Sequence, residues 1–140
     1  MTDKLKRLRP TYAEIDLPAF GRNIETARKL AGTDVMTIVK ANAYGHGELE
    51  LAEYAYYQCN VKKFGVATIL EAIILREKLG SSVSIFVIGN IDEAFYEEAL
   101  DHKIILTITD DATAYSYDKF LKEKGTFADV SVKINTGMNR

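Results

Sequence analysis

The chain has a single cysteine, Cys59, so no disulfide can form within it. A reducing compartment, the cytoplasm, is therefore expected. It also lacks any apolar run near the ~20 residues needed to span a bilayer. Lys4, Lys6, Arg7 and Arg9 crowd the first ten residues, but no apolar segment follows them. That pattern reads as a basic solvated tail and not as a secretion signal. A net charge of −2 leaves no electrostatic footprint for nucleic acid or a membrane surface, and neither partner is expected. The two histidines, His46 and His102, have no cysteine or carboxylate at ligand spacing, so no metal site is expected. No Gly-x-Gly-x-x-Gly follows a strand, no Walker loop occurs, and no serine sits in a nucleophile elbow. Dinucleotide binding and hydrolase chemistry thus lack their sequence marks.

What is present is the composition of a globular chain, 47% apolar and 27% charged over 140 residues. Thr11–Leu17 alternates, with Ala13, Ile15 and Leu17 on one side and Tyr12, Glu14 and Asp16 on the other. This predicts a half-buried strand ended by Pro18. A helix follows from Pro18 or Ala19 to Ala31, with Phe20, Ile24, Ala27 and Ala31 expected in the core and Gly32 as its stop. One grammar then repeats. Strands are predicted at Val35–Lys40, Phe64–Ala67, Val83–Ile88, Ile104–Ile108 and Val130–Asn135. Helices are predicted at Glu48–Cys59, Ile69–Leu79, Asp92–His102 and Asp111–Lys124. Asp92 and Asp110 are expected N-caps, Gly80 and Gly125 expected stops, and Leu70, Ile73 and Ile74 the core stripe of their helix.

Strand starts every ~20–30 residues are the period of a βα unit. Repeated units imply an α/β fold with a parallel sheet, either open and doubly wound or closed as a (β/α)8 barrel. A complete barrel of that kind needs ~250 residues, so five strands would be an incomplete one with two raw edges.

One stretch carries chemistry. Val39-Lys40-Ala41-Asn42-Ala43-Tyr44-Gly45-His46-Gly47 follows the apolar run Val35–Ile38. A lysine at the end of a buried strand is costly to desolvate, and burial of a lysine favours the neutral, nucleophilic amine. Such amines form Schiff bases with carbonyl compounds, pyridoxal phosphate among them. The glycines let the backbone turn tightly beside a ligand.

All nine positions resemble the cofactor-lysine signature of the alanine racemase family, the fold-type III pyridoxal-phosphate enzymes. A second segment, Val132-Lys133-Ile134-Asn135-Thr136-Gly137-Met138-Asn139-Arg140, also resembles that family, although Asn135 stands where an aspartate is usual. Phe64–Ala67 with Glu71 and Ala72 resembles it too, as a core strand and helix start.

The resemblance implies the first part, about five strands, of a TIM-like barrel preceded by one N-terminal strand. Residues 1–140 would be the N-terminal portion of a longer protein, with the rest of the barrel and a C-terminal β domain outside them. It implies pyridoxal 5'-phosphate as cofactor and interconversion of L- and D-alanine, supplying D-alanine for peptidoglycan. Lys40 would carry the cofactor and serve as one catalytic base, and Tyr44 would donate its hydroxyl to the cofactor phosphate. Lys133 would be carbamylated and hold Arg140, which would bind the substrate carboxylate and the cofactor phenolic oxygen. His46 is expected to be structural. The second base, a tyrosine from the partner subunit of a homodimer, and the arginine facing the pyridine nitrogen are not in this sequence. The 140 residues alone are thus expected to lack full activity. Two alternatives stay open: a pyridoxal-phosphate-binding barrel without turnover, and a racemase for serine or another small amino acid.

Overall fold

The computed structural model describes residues 11–139; the basic segment with Lys4, Lys6, Arg7 and Arg9, and also Arg140, lie outside the described residues. In chain order the elements are α1 (Leu17–Ala31), β1 (Met36–Ile38), α2 (Glu48–Cys59), β2 (Lys63–Val66), α3 (Ile69–Leu79), β3 (Ser84–Val87), α4 (Tyr96–Asp101), β4 (Ile105–Ile108), α5 (Asp111–Lys124) and β5 (Val130–Val132). The five strands form one parallel sheet in the order β1-β2-β3-β4-β5. A doubly wound sheet must reverse its strand order at a switch point, whereas a barrel adds each new strand beside the last. Strictly sequential order therefore selects the barrel arrangement.

Register fixes which side chains share a face. Phe64, Val66, Ile85, Val87 and Leu106 have one parity and are buried with Ala52, Ala55, Ala72, Leu75, Tyr96 and Tyr117 of the helices. The other parity, Ile38, Gly65, Phe86, Ile105 and Ser131, forms the less covered face. Gly65 is needed there for space. A Cβ on it would lie 2.6 Å from Ile38 Cδ1 and 3.2 Å from Met36 Sδ.

The predicted caps Asp92 and Asp110 form, and Asp16, expected in a strand, is a cap as well. Asp16, Asp92 and Asp110 accept the N–H groups of Ala19, Ala94 and Thr113, and Gly32 and Gly125 close α1 and α5 in the left-handed region. Thr68 and Glu71 make a reciprocal capping box at the start of α3.

Several expectations are corrected. Residues 11–16 form no strand, because Asp16 caps α1 and no sheet edge takes the segment as a ladder partner. In α1, Ile24 is buried as expected, but Ala27 and Ala31 are exposed, and Gly21 is buried as well. Gly21 brings the helix against Tyr54 and Cys59, and Arg28 then bonds the Cys59 and Asn60 carbonyls. In α3 the buried stripe is Ala72, Leu75 and Leu79, while Leu70 and Ile74 are exposed. That helix is apolar nearly all round, so its period could not reveal which side meets the sheet. The predicted Asp92–His102 helix is a 3-10 turn over Glu93–Phe95 followed by α4. β5 stops at Val132, although Lys133 N–H still bonds the Ile108 carbonyl at 2.9 Å.

Candidate functional site

The less covered sheet face opens at the C-terminal ends of the strands into a cleft of about 590 Å³. It is lined by Lys40 beyond β1, Ala67 beyond β2, Ile88 and Gly89 beyond β3, and Lys133, Ile134, Asn135, Thr136 and Met138 beyond β5. Two of the predicted site residues, Lys40 and Lys133, are thus brought to one cleft from opposite ends of the sheet. A second cleft of about 570 Å³ lies between residues 13–16, α1 and the segment after β1, with Tyr44 and His46 in its lining. Neither Lys40 nor Lys133 is in its lining. Tyr44 is exposed, and its ring centroid lies 6.0 Å from Lys40 Nζ, at the outer limit of cation–π attraction. Arg140 lies outside the described residues.

The strand ends two residues earlier than predicted, and Lys40 opens an irregular turn. Ala41, Asn42, Ala43 and Tyr44 all take left-handed conformations, with φ between 50 and 56°. Such backbone costs roughly 1–2 kcal/mol for each residue bearing a Cβ, so four in succession need firm support. Ala43 N–H donates to the Val39 carbonyl at 2.7 Å and Gly47 N–H to the Asn42 carbonyl at 3.0 Å. His46 Nδ1 lies 3.0 Å from the Ala43 carbonyl and 3.1 Å from that of Tyr44, a geometry that the Nδ1–H tautomer satisfies. The Asn42 side chain accepts Glu48 N–H at 3.0 Å and so ties the turn to α2. The His46 ring thus braces the turn.

On the far side of the cleft, Asn135 Oδ1 accepts the N–H groups of Gly137 and Asn139, at 3.0 and 3.1 Å. A neutral amide oxygen suffices for this turn, so asparagine in place of aspartate keeps its shape. The same turn explains the early end of β5.

The profile of the family described as "Alanine racemase, N-terminal domain" matches residues 15–140. The chain belongs to that family. The alanine racemase of Halothermothrix orenii is 34% identical over 134 residues, 94% of this chain and 35% of that protein. The solved alanine racemase of Bartonella henselae, which holds covalently bound pyridoxal phosphate, matches with a TM-score of 0.82 at 27% identity, over 90% of this chain and 35% of that one. A histidine racemase from Leuconostoc mesenteroides matches with a TM-score of 0.79 at 27% identity, over 89% of this chain and 33% of its own. The chain spans about a third of the length of the racemases it resembles.

One side chain that reaches the Lys40 turn was not anticipated from the sequence. In the sequence Glu71 reads only as part of a core strand and helix start. In the structure its Oε2 accepts Ala67 N–H at 2.8 Å and Thr68 N–H at 3.1 Å, while Oε1 accepts Ala41 N–H at 2.8 Å. Burial pushes the Glu71 carboxyl up, but these backbone bonds and the Thr68 hydroxyl outweigh it and hold the group below its usual range. Nearby Glu48 goes the other way, raised by burial and then by the Glu71 charge, and its Oε1 is buried without a hydrogen-bond partner. Among the described residues, no cluster of three His, Cys, Asp or Glu could hold a metal ion, and no helix is long and apolar enough to cross a membrane.

Proposed function

We propose that this chain is the cofactor-bearing portion of a pyridoxal-phosphate-dependent amino-acid racemase, with alanine as its substrate. The observation that supports this most is the meeting of Lys40 and Lys133 in one cleft at the C-terminal strand ends, where this fold assembles its active sites. The donor set suits the cofactor: two amines and the polar side chains of Asn135 and Thr136 fit an anionic aldehyde. Bound there, pyridoxal phosphate supplies an electron sink for the charge left on Cα when the α-proton departs.

The chain's own residues take the remaining roles. Lys40 holds the cofactor aldehyde through its amine and, once substrate displaces it, moves the α-proton on one face of the substrate. Tyr44 donates its hydroxyl to the cofactor phosphate. Lys133 reacts with carbon dioxide, forming an N–C bond and releasing a proton, and the resulting carbamate holds Arg140 through charge-assisted hydrogen bonds. Arg140 binds the substrate carboxylate. The opposing base comes from a second subunit, so the working protein is a homodimer, completed by the remaining barrel strands and a C-terminal β domain. A cytoplasmic location accords with the free Cys59.

The test is borohydride reduction of the cofactor-loaded protein, followed by peptide mapping. A pyridoxyl label on Lys40 is expected; a label on another lysine overturns the assignment. Racemisation of alanine, serine and histidine by the full-length protein then ranks the substrates, with alanine expected first.

A further inference from the structure

The left-handed turn beside Lys40 raises a physical question: what keeps four strained residues from relaxing? The bonds from Ala43 to Val39 and from Gly47 to Asn42 are internal to the segment, so they fix its curl but not its position on the barrel rim. Asn42 Oδ1 ties the middle of the turn to α2 through Glu48 N–H, and Glu71 is the contact that ties its start, next to Lys40, to the neighbouring strand end. Its carboxylate is already oriented by two backbone N–H groups at the junction of β2 and α3, which leaves Oε1 to accept the N–H of Ala41. That N–H belongs to the peptide bond leaving Lys40. A carboxylate bonded on both oxygens spans the ends of two neighbouring strands, and Ala67, which it also holds, lines the same cleft as Lys40. The bridge joins residues 30 apart in sequence, so it is tertiary and not part of the helix cap as such.

We infer that Glu71 is a positioning residue for the Lys40 amine: by binding the Ala41 N–H it pins the left-handed turn to the rim and directs the lysine into the cleft. This rests on the proposed role of Lys40 as the cofactor-binding residue. A carboxylate is required because two acceptor oxygens must serve two different strand ends. Glutamine keeps one acceptor and turns an NH₂ toward the other set of N–H groups.

The experiment compares the full chain with Glu71→Gln and Thr68→Ala. Thr68→Ala removes the hydroxyl that caps α3 yet leaves the Ala41 bond in place. Two readouts are taken: amide hydrogen exchange at Ala41, and the rate at which pyridoxal phosphate is trapped on Lys40 by borohydride. Glu71→Gln is expected to speed Ala41 exchange by about tenfold or more. It is also expected to slow Lys40 capture by roughly ten- to a hundredfold, as lost orientation does. Thr68→Ala is expected to change neither by more than about twofold, because the Ala41 bond survives. Unchanged exchange and capture in Glu71→Gln overturn the inference, as does an equal loss of capture in Thr68→Ala, which would reduce the effect to helix stability. Should Glu71→Gln fail to fold, exchange in the unaltered chain decides: an Ala41 amide no better protected than the amides of residues 11–13 overturns it. Absence of any label on Lys40 in the unaltered chain would instead overturn the functional reading, leaving the exchange arm intact.

Discussion

Thr107 and Ser131 face each other across the β4–β5 ladder, their hydroxyl oxygens 2.8 Å apart. Thr107 Oγ1 also lies 2.6 Å from the Val87 carbonyl, and a carbonyl can only accept. Threonine has one hydroxyl proton, so it goes to Val87, and Ser131 is the donor in the threonine–serine pair. The relay links three consecutive strands just below Lys133, on the face that opens into the cleft.

Replacing Thr107, which is only 8% exposed, by valine keeps the shape but strands the Ser131 hydroxyl. A loss of about 1–2 kcal/mol is expected, seen as a lower urea midpoint at unchanged slope. Ser131→Ala should cost less, and the double variant should cost less than the sum of the two, because one relay is being removed twice. Strict additivity would show that the relay does not stabilise the edge strand.

The left-handed turn responds to substitution in a direction opposite to that of an ordinary helix. Ala41→Gly relieves a φ of 52° that glycine adopts freely. The relief, ~1–2 kcal/mol, exceeds the extra chain entropy of glycine, ~0.5–1 kcal/mol, so stability should hold or rise slightly. Ala43→Val, at a buried position with φ of 50°, should cost about 2 kcal/mol or more. Thermal unfolding of the two variants decides; destabilisation by the glycine would mean that the turn is not left-handed.

Glu71 and Glu48 should titrate on opposite sides of the ordinary glutamate value of ~4.3. For Glu71 the folded value is depressed, so its contribution to stability is complete above ~4.3 and is lost only as pH falls through the lower folded value. For Glu48 the folded value is raised, so its ionisation opposes folding from ~4.3 upward, in full above the folded value. Side-chain carboxyl NMR should resolve the two midpoints, and Glu71→Gln should move that of Glu48 downward. An unmoved Glu48 would show that the two charges do not interact.

Gly65→Ala should overpack the inner face, since the new Cβ would meet Ile38 Cδ1 at 2.6 Å. A cost of about 1–3 kcal/mol is expected. Because the crowded atom is the far end of a side chain, Ile38→Val, which lacks that methyl, should restore much of the loss. A denaturant midpoint of the double variant no higher than that of Gly65→Ala would place the strain in the backbone instead.

Local chemistry was readable residue by residue. Asp92 and Asp110 cap helices, Gly32 and Gly125 end them, and α2, α3 and α5 begin and end as the patterns of hydrophobicity and capping predict. Both lysine segments were legible as well. The inward side of a helix was less so: Ala27 looked like core by spacing, but what buries a residue of α1 is where α2 lies, and Gly21 sets that approach.

The amino-acid order by itself determined the α/β alternation, the caps and the two amines, because each depends on groups within a few residues of one another. Only the tertiary structure decided that those amines share a cleft, that residues 11–16 stay out of the sheet, and that the backbone after Lys40 curls left-handed under the hold of Glu71. The reason is physical. Each of these outcomes depends on a partner tens of residues away or on the availability of a sheet edge, and neither distance nor vacancy is written in a local pattern.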